Sequence, residues 1–387
     1  MRIALFNQET TPGFFTHSIR ALQKALLNRG DQVLYINVAG SLDPRFYSQL
    51  ITFNPELTLS HYPLLPFRDT KQTLSEVIEV PHLTMLLDPI LPYIPLMHAP
   101  LNFFCCPDIQ EVFQAKEAGY KETFFLPHAI DSFVLDLPPE EKIYPLSYIA
   151  FFSDYEAIRK RWHERESKEV ANALDSACEQ VLSDSGVNLA SALLSSLMKK
   201  CLHFGGEDVR RWIIDINQYT RGKDRIDLVR SIKEVSVHVF GGKYRETEVY
   251  TDPGAYLSSQ KNVILHPKVS FQDALSIINQ SKICLNSTPF FKQGSHERIF
   301  LSLALGAIPI SSENDYLRKV FSVGKELYLY PFSNHAAVNE WIAEILSDDV
   351  RRKEMAERGK RKVALGHTWT TRVEELVANL PSILYRP

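Results

Sequence analysis

Residues 289–310, PFFKQGSHERIFLSLALGAIPI, are apolar on nearly every side once one polar turn, Ser295-His296-Glu297-Arg298, has passed. Ile299, Phe300, Leu301, Leu303, Ala304 and Leu305 leave little face for water, so the spacing predicts an interior helix. An interior helix that begins with three ionisable side chains in a row must open its first turn into a cleft. The apolar run KICLNS (282–287) precedes it and AIPIS (307–311) follows. The loop TPFFKQG therefore sits at the carboxyl end of a parallel strand, the edge of an open α/β sheet where ligands bind. Ser295 reads as the helix cap, and Glu297 suits the positive end of the dipole. Lys292 and Arg298 add positive charge beside free N–H groups, which makes an anion site that a diphosphate would fit. A serine cap with a first-turn glutamate is also ordinary helix chemistry; the buried context favours the site.

Short apolar runs recur on both sides of this segment. RIALF (2–6), QVLYINV (32–38), LTLS (57–60), HLTMLL (82–87), LNFFCC (101–106) and TFFLP (123–127) are strand candidates in the first third. Between the first two, Ile19, Leu22, Ala25 and Leu26 have helical spacing and Gly30 is a natural stop, so the chain opens with a βαβ unit. LSYIAFF (146–152), SVHVFGG (236–242), NVILHP (262–267), KICLNS, AIPIS and ELYLYP (326–331) repeat the pattern. Ser270 and Asp273 form a capping box in front of a further helical stripe. Continuous apolar strands alternating with helices mean parallel sheets covered on both faces, here two facing, doubly wound, Rossmann-like domains of the α/β class.

The proline-rich acidic stretch Asp136-Leu-Pro-Pro-Glu-Glu141 reads as the seam between an N-terminal domain, 1–137, and a C-terminal domain, 145–367. Roughly eighty residues separate the strands at 146–152 and 236–240, whereas a crossover needs only about a dozen. The spacing in 168–182 and 188–202 predicts a helical insertion spanning 155–230, able to bind a protein acceptor, form a homo-oligomer or brace the domains.

A length of 387 residues supports two cores, and 45% apolar with 23% charged residues is a globular composition. A net charge of −3 supplies no global field for a nucleic-acid backbone. The five cysteines show no zinc spacing, and their odd number argues against a disulfide framework. They read as thiols of a cytoplasmic protein without a signal peptide or membrane span.

In its order of strand, loop, helix, Gly306 turn and Ile-Pro strand, the opening segment resembles the donor-binding helix of GT-B glycosyltransferases, and is most similar to the CgeB-like (spore maturation) group of bacterial proteins. LPHAID (126–131), PHLTMLLDP (81–89) and GHTWTTRVEEL (366–376) resemble other pieces of that family, in the family's order. The resemblance implies a hexosyltransferase-class enzyme (EC 2.4) that moves a sugar from a nucleotide donor, most simply a uridine diphosphate sugar, to an acceptor glycan, protein or small molecule. It further implies an N-terminal acceptor domain, a C-terminal donor domain with the reaction in the cleft between, and a last helix, 368–387, packed back on the N-terminal domain. No cofactor or metal is implied, because helix ends and basic side chains stabilise the leaving diphosphate. One departure stands out. Many retaining members carry a glutamate pair where this chain has Gln293 and Leu301.

Lys292, Gly294, Ser295, His296, Glu297 and Arg298 are thus the principal donor-binding candidates. Gly241, Gly242 and Lys243 follow a strand, where glycines let a backbone approach a ligand; a tight turn reads equally well. Arg225 resembles a basic position before that strand in related enzymes and reads otherwise as a helix-surface arginine; His266 lies where the family reads the base, and a capping or turn histidine reads equally well. In the N-terminal domain, His17 follows the first strand and Asp88 ends another before Pro89. Either is a candidate base for an acceptor hydroxyl. Two other functions suit the same fold: a nucleotide-sugar epimerase, and a binding or scaffold protein without catalysis.

Overall fold

The structure, a computed structural model, describes residues 1–8, 13–38, 44–64, 67, 72–90, 101–203, 205–242 and 250–380. The chain divides into two compact units, Met1–Asp136 with Ala364–Pro387, and Leu137–Val363.

The first unit is built on a parallel sheet of β1 (Arg2–Asn7), β2 (Gln32–Asn37), β3 (Leu57–Ser60), β4 (His82–Met85), β5 (Asn102–Cys106) and β6 (Thr123–Phe125), in the order β2-β1-β3-β4-β5-β6. α1 (Phe14–Asn28) crosses from β1 to β2 with Ile19, Leu22, Ala25 and Leu26 buried, and Gly30 takes φ +96 just past its end, a conformation that costs glycine little. α2 (Pro44–Phe53), α3 (Leu74–Ile78) and α4 (Ile109–Glu117) follow β2, β3 and β5. Ile3, Leu5, Leu59, Leu83 and Phe103 share one core with Trp369, Val373 and Leu376 of the terminal helix Trp369–Asn379. That helix is anchored by backbone as well: the Trp369 amide donates to Ile130 at 3.0 Å, and buried Arg372 donates through Nε to the Pro127 carbonyl at 2.9 Å.

The second unit has a parallel sheet of β7 (Tyr144–Ile149), β9 (Val237–Phe240), β11 (Val263–His266), β12 (Ser281–Asn286), β13 (Ile308–Ser312) and β14 (Tyr328–Tyr330), in the order β11-β9-β7-β12-β13-β14. The run 146–152 does not continue as one strand. It leaves the sheet at Ala150, and β8 (Phe152–Ser153) pairs antiparallel with β10 (Tyr250–Thr251). Four helices follow: α5 (Tyr155–Arg165), α6 (Lys168–Ser183), α7 (Leu189–Met198) and α8 (Gly206–Ser231). Asp154, Ser167 and Asn188 cap the first three by accepting from the amides of Ala157, Val170 and Ser191. α8 is itself the crossover to β9, because Ile226, Leu228 and Val229 on its last turns belong to the sheet core. Only α5–α7 are additional. α9 (Gly254–Leu257), α10 (Phe271–Asn279), α11 (Glu297–Ala304), α12 (Asp315–Val320), α13 (Val338–Ser347) and α14 (Asp349–Gly366) complete the unit. Ser270 caps α10 through the Asp273 amide, as its spacing predicts. No helix among the described residues is long and apolar enough to cross a membrane, and the cysteines are free thiols, with Cys201 exposed.

Candidate functional site

β12 runs into Asn286-Ser287-Thr288 and β13 ends in Ser311-Ser312, all buried, so small polar groups floor the carboxyl edge of the second sheet. Asn286 Nδ2 donates to Ser311 Oγ at 2.9 Å and the Thr288 amide to Ser312 Oγ at 3.0 Å. An apolar strand that ends in consecutive Asn, Ser and Thr is the sequence sign of such a floor.

α11 starts beside this edge, one residue later than the sequence suggests. Its cap is His296 rather than Ser295: His296 is extended at φ −135, and its Nδ1 accepts from the Arg298 amide at 3.3 Å. Ser295 is buried outside the helix, as is Gly294. The same Nδ1 lies 3.0 Å from Glu297 Oε2. One ring nitrogen can serve only one of these partners: neutral it caps the helix, protonated it pairs with Glu297. The cap takes the Arg298 amide and the His296 carbonyl takes the Ile299 amide, so these two first-turn N–H groups are not offered to an anion. The positive charge of the site comes from side chains.

Arg298 reaches back from α11 and donates to Asn286 Oδ1 at 3.2 Å. Arg225, on α8, is 3% exposed and donates through Nη1 to the Phe151 carbonyl, while its Nε has no partner among the described residues. Burial pushes its guanidinium down to about 10; the charges of Arg221 and Arg298 push the same way, against Tyr148 and Asp224. Arg225 thus feels two further arginines, with the Asp224 carboxylate set against them, and its buried unpartnered N–H adds to the demand for an anion. Asp224 went unremarked in the sequence, since nothing local marks it out.

Lys292 does not join this group. It is fully buried with Nζ donating to the carbonyls of Val181 and Asp184 at 2.7 and 2.9 Å, and it lies over the Phe332 ring. Its charge closes the end of α6 instead of standing beside α11. Gly241 is required by its own chain, because a Cβ there would sit 2.6 Å from the Ala150 carbonyl oxygen. Gly242 is ordinary in this respect, with Lys268 Cβ at 3.4 Å. Lys243 lies outside the described residues. His266 is turned onto the sheet, stacked on Phe240 at 4.2 Å and bonded to His238 at 2.9 Å, and burial lowers its affinity for a proton.

In the first unit, Asp88 accepts from the Tyr62 hydroxyl at 2.7 Å, and Phe15 packs on the Tyr62 ring at 5.1 Å. His17 is half-buried near the start of α1. The strands that deliver His17 and Asp88, β1 and β4, are separated by β3, about 10 Å of sheet. Tyr62, which follows β3, stands between them and was missed in the sequence. Glu111 is buried nearby and accepts from the Ile90 amide at 3.1 Å.

Residues 223–378, which hold Arg225, Arg298 and the polar floor, match the family described as glycosyl transferase-like. Similar solved structures include a sucrose-phosphate synthase from Thermosynechococcus elongatus, with 11% identity over 98% of this chain and 99% of that one at a TM-score of 0.58. A glycosyltransferase from Rickettsia africae follows with 10% identity over 100% and 99% at 0.54. HepE from Anabaena, solved with UDP-glucose, gives 11% identity over 99% and 100% at 0.52. The chain has the fold of the GT-B glycosyltransferases. No curated protein matches it. At these identities the GT-B likeness speaks for the fold, and the roles of individual residues rest on the geometry above. The GT-B glutamate pair stays absent: Leu301 is buried in α11 and Gln293 precedes the helix.

Proposed function

We propose that this GT-B protein is a glycosyltransferase that moves a sugar from a uridine diphosphate donor to an acceptor hydroxyl or other nucleophile. The observation that carries the reading is the buried Arg225, which feels the charge of Arg298 at the carboxyl edge of the second sheet and keeps an unpartnered N–H, a pair of guanidinium groups suited to a diphosphate. The UDP-glucose bound to HepE supports the choice of nucleotide. The acceptor oxygen gives its proton to a base and bonds to the anomeric carbon. The bond from that carbon to the donor phosphate breaks, and the nucleoside diphosphate leaves with the electron pair. Arg225 and Arg298 receive the charge that appears on it. Asp88, held by Tyr62, takes the proton, and His17 is the other base within the same unit. Buried free thiols suit a reducing cytoplasm.

The test is a thermal-shift series with UDP, ADP and GDP on the unaltered protein, Arg225→Met and Arg298→Ala, followed by an assay for nucleotide release from UDP-glucose. A ligand at 100 times its Kd adds about 2.7 kcal/mol to the folded state. Selective stabilisation by UDP that both variants weaken is the expected result. Equal stabilisation of all three proteins would overturn the site, and no shift with any nucleotide would overturn the reading.

A further inference from the structure

We infer that Asp224 is a positioning residue, which from α8 holds Arg225 and Arg298 at the spacing a diphosphate needs; the inference rests on the donor-site reading above. Asp224 is 1% exposed. Its Oδ2 accepts from the Ser287 hydroxyl at 2.6 Å and from the Tyr330 hydroxyl at 2.7 Å, and its Oδ1 faces His335 Nε2 at 2.7 Å. These partners come from three places: the end of β12, the end of β14 and the turn that follows β14.

The chain neighbours of this network lead to both cations. Arg225 directly follows Asp224, and Asn286, which receives the Arg298 guanidinium, directly precedes Ser287. One carboxylate therefore ties the backbone that carries the first arginine to the backbone that holds the second. Burying a carboxylate is costly, and an apolar side chain of similar volume often does as well or better for stability. What the carboxylate adds is a fixed geometry. Free arginine side chains lose rotamer freedom when they close on an anion, and prior fixing removes that loss from the binding step. Ser287 and Tyr330 leave the carboxylate no alternative seat, since both hydroxyls converge on one oxygen.

A merely structural role would pin α8 to the sheet without any bearing on the arginines, and a double-mutant cycle separates the two. UDP affinity is measured by calorimetry, well below the melting temperature, for the unaltered protein, Asp224→Asn, Arg225→Met and the double variant. Tyr330→Phe, which removes one donor and leaves the carboxylate, serves as the second probe, and it carries the cycle if Asp224→Asn does not fold. Asp224→Asn is expected to weaken UDP binding on the order of tenfold, and to weaken it much less in the Arg225→Met background, where one positioned group is already gone. Tyr330→Phe gives a smaller loss with the same dependence on Arg225. Unchanged UDP affinity in Asp224→Asn and Tyr330→Phe, or a loss of equal size in the Arg225→Met background, overturns the inference alone. Failure of the unaltered protein to bind UDP removes the donor reading and this inference with it.

Discussion

The ammonium of Lys292 lies 2.7 Å from the carbonyl oxygen of Val181, 111 positions earlier in the chain. With the Asp184 carbonyl at 2.9 Å, it clasps the last turn of α6 to the loop that leads into α11. Lys292→Met fits the same tube of space but leaves two carbonyls unpaired. It is expected to lower stability by about 2–4 kcal/mol, read as a shift in the denaturant midpoint. UDP affinity, measured on the folded variant, is expected to change far less than in Arg298→Ala.

Glu111 carries a pH signature. Burial pushes its carboxyl well above the ordinary range, and the charge of Asp108 adds to the push. The folded state then holds a proton that the unfolded chain releases, so the stability this group contributes is full below the ordinary glutamate range and is lost as pH rises toward the raised folded value. Glu111→Gln keeps an acceptor for the Ile90 amide and removes the titration. Its melting temperature is expected to exceed that of the unaltered protein at pH 7–8, with the gap closing toward pH 4. A gap that widens on acidification would contradict this account.

Two glycines with equally close neighbours are expected to respond differently. A Cβ on Gly241 meets the Ala150 carbonyl oxygen at 2.6 Å and the Phe152 ring at 3.1 Å, both fixed by the sheet edge. A Cβ on Gly359 meets Leu303 Cδ2 at 2.5 Å, the tip of a side chain that can rotate. Gly241→Ala should cost about 1–3 kcal/mol. In Gly359→Ala the gain of about 1 kcal/mol in helix propensity offsets the repacking, and urea midpoints compare the pair directly.

Both six-stranded sheets were legible in the sequence because their inner strands are buried on two faces, and even the partly exposed edge strands β2 and β11 read as apolar runs. β8 and β10 were not, since two-residue strands have no period to detect. The insertion was visible as surplus length, but the part of it that is true crossover was hidden, because α8 is one helix that serves the insertion at one end and the sheet core at the other. The site was legible where it is local. Arg298 and Glu297 announce themselves as charges at the head of an apolar helix, yet the cap fell on His296 because a one-residue choice depends on backbone angles. The direction of Lys292 depends on α6, and the partners of Asp224 lie 63 to 111 positions away from it. No local pattern reports contacts of that range.

The first unit's core is completed by Trp369, Val373 and Leu376. On the ribosome, the sheet of the first unit must therefore wait for a helix synthesised after the whole of the second unit before its inner surface is sealed. Until then an apolar flank of β1, β3 and α1 stands open to water and to chaperones. A message cut short before Trp369 would yield a second unit with all its strands beside a first unit that cannot close, so quality control, rather than loss of catalysis, would decide the fate of such a fragment.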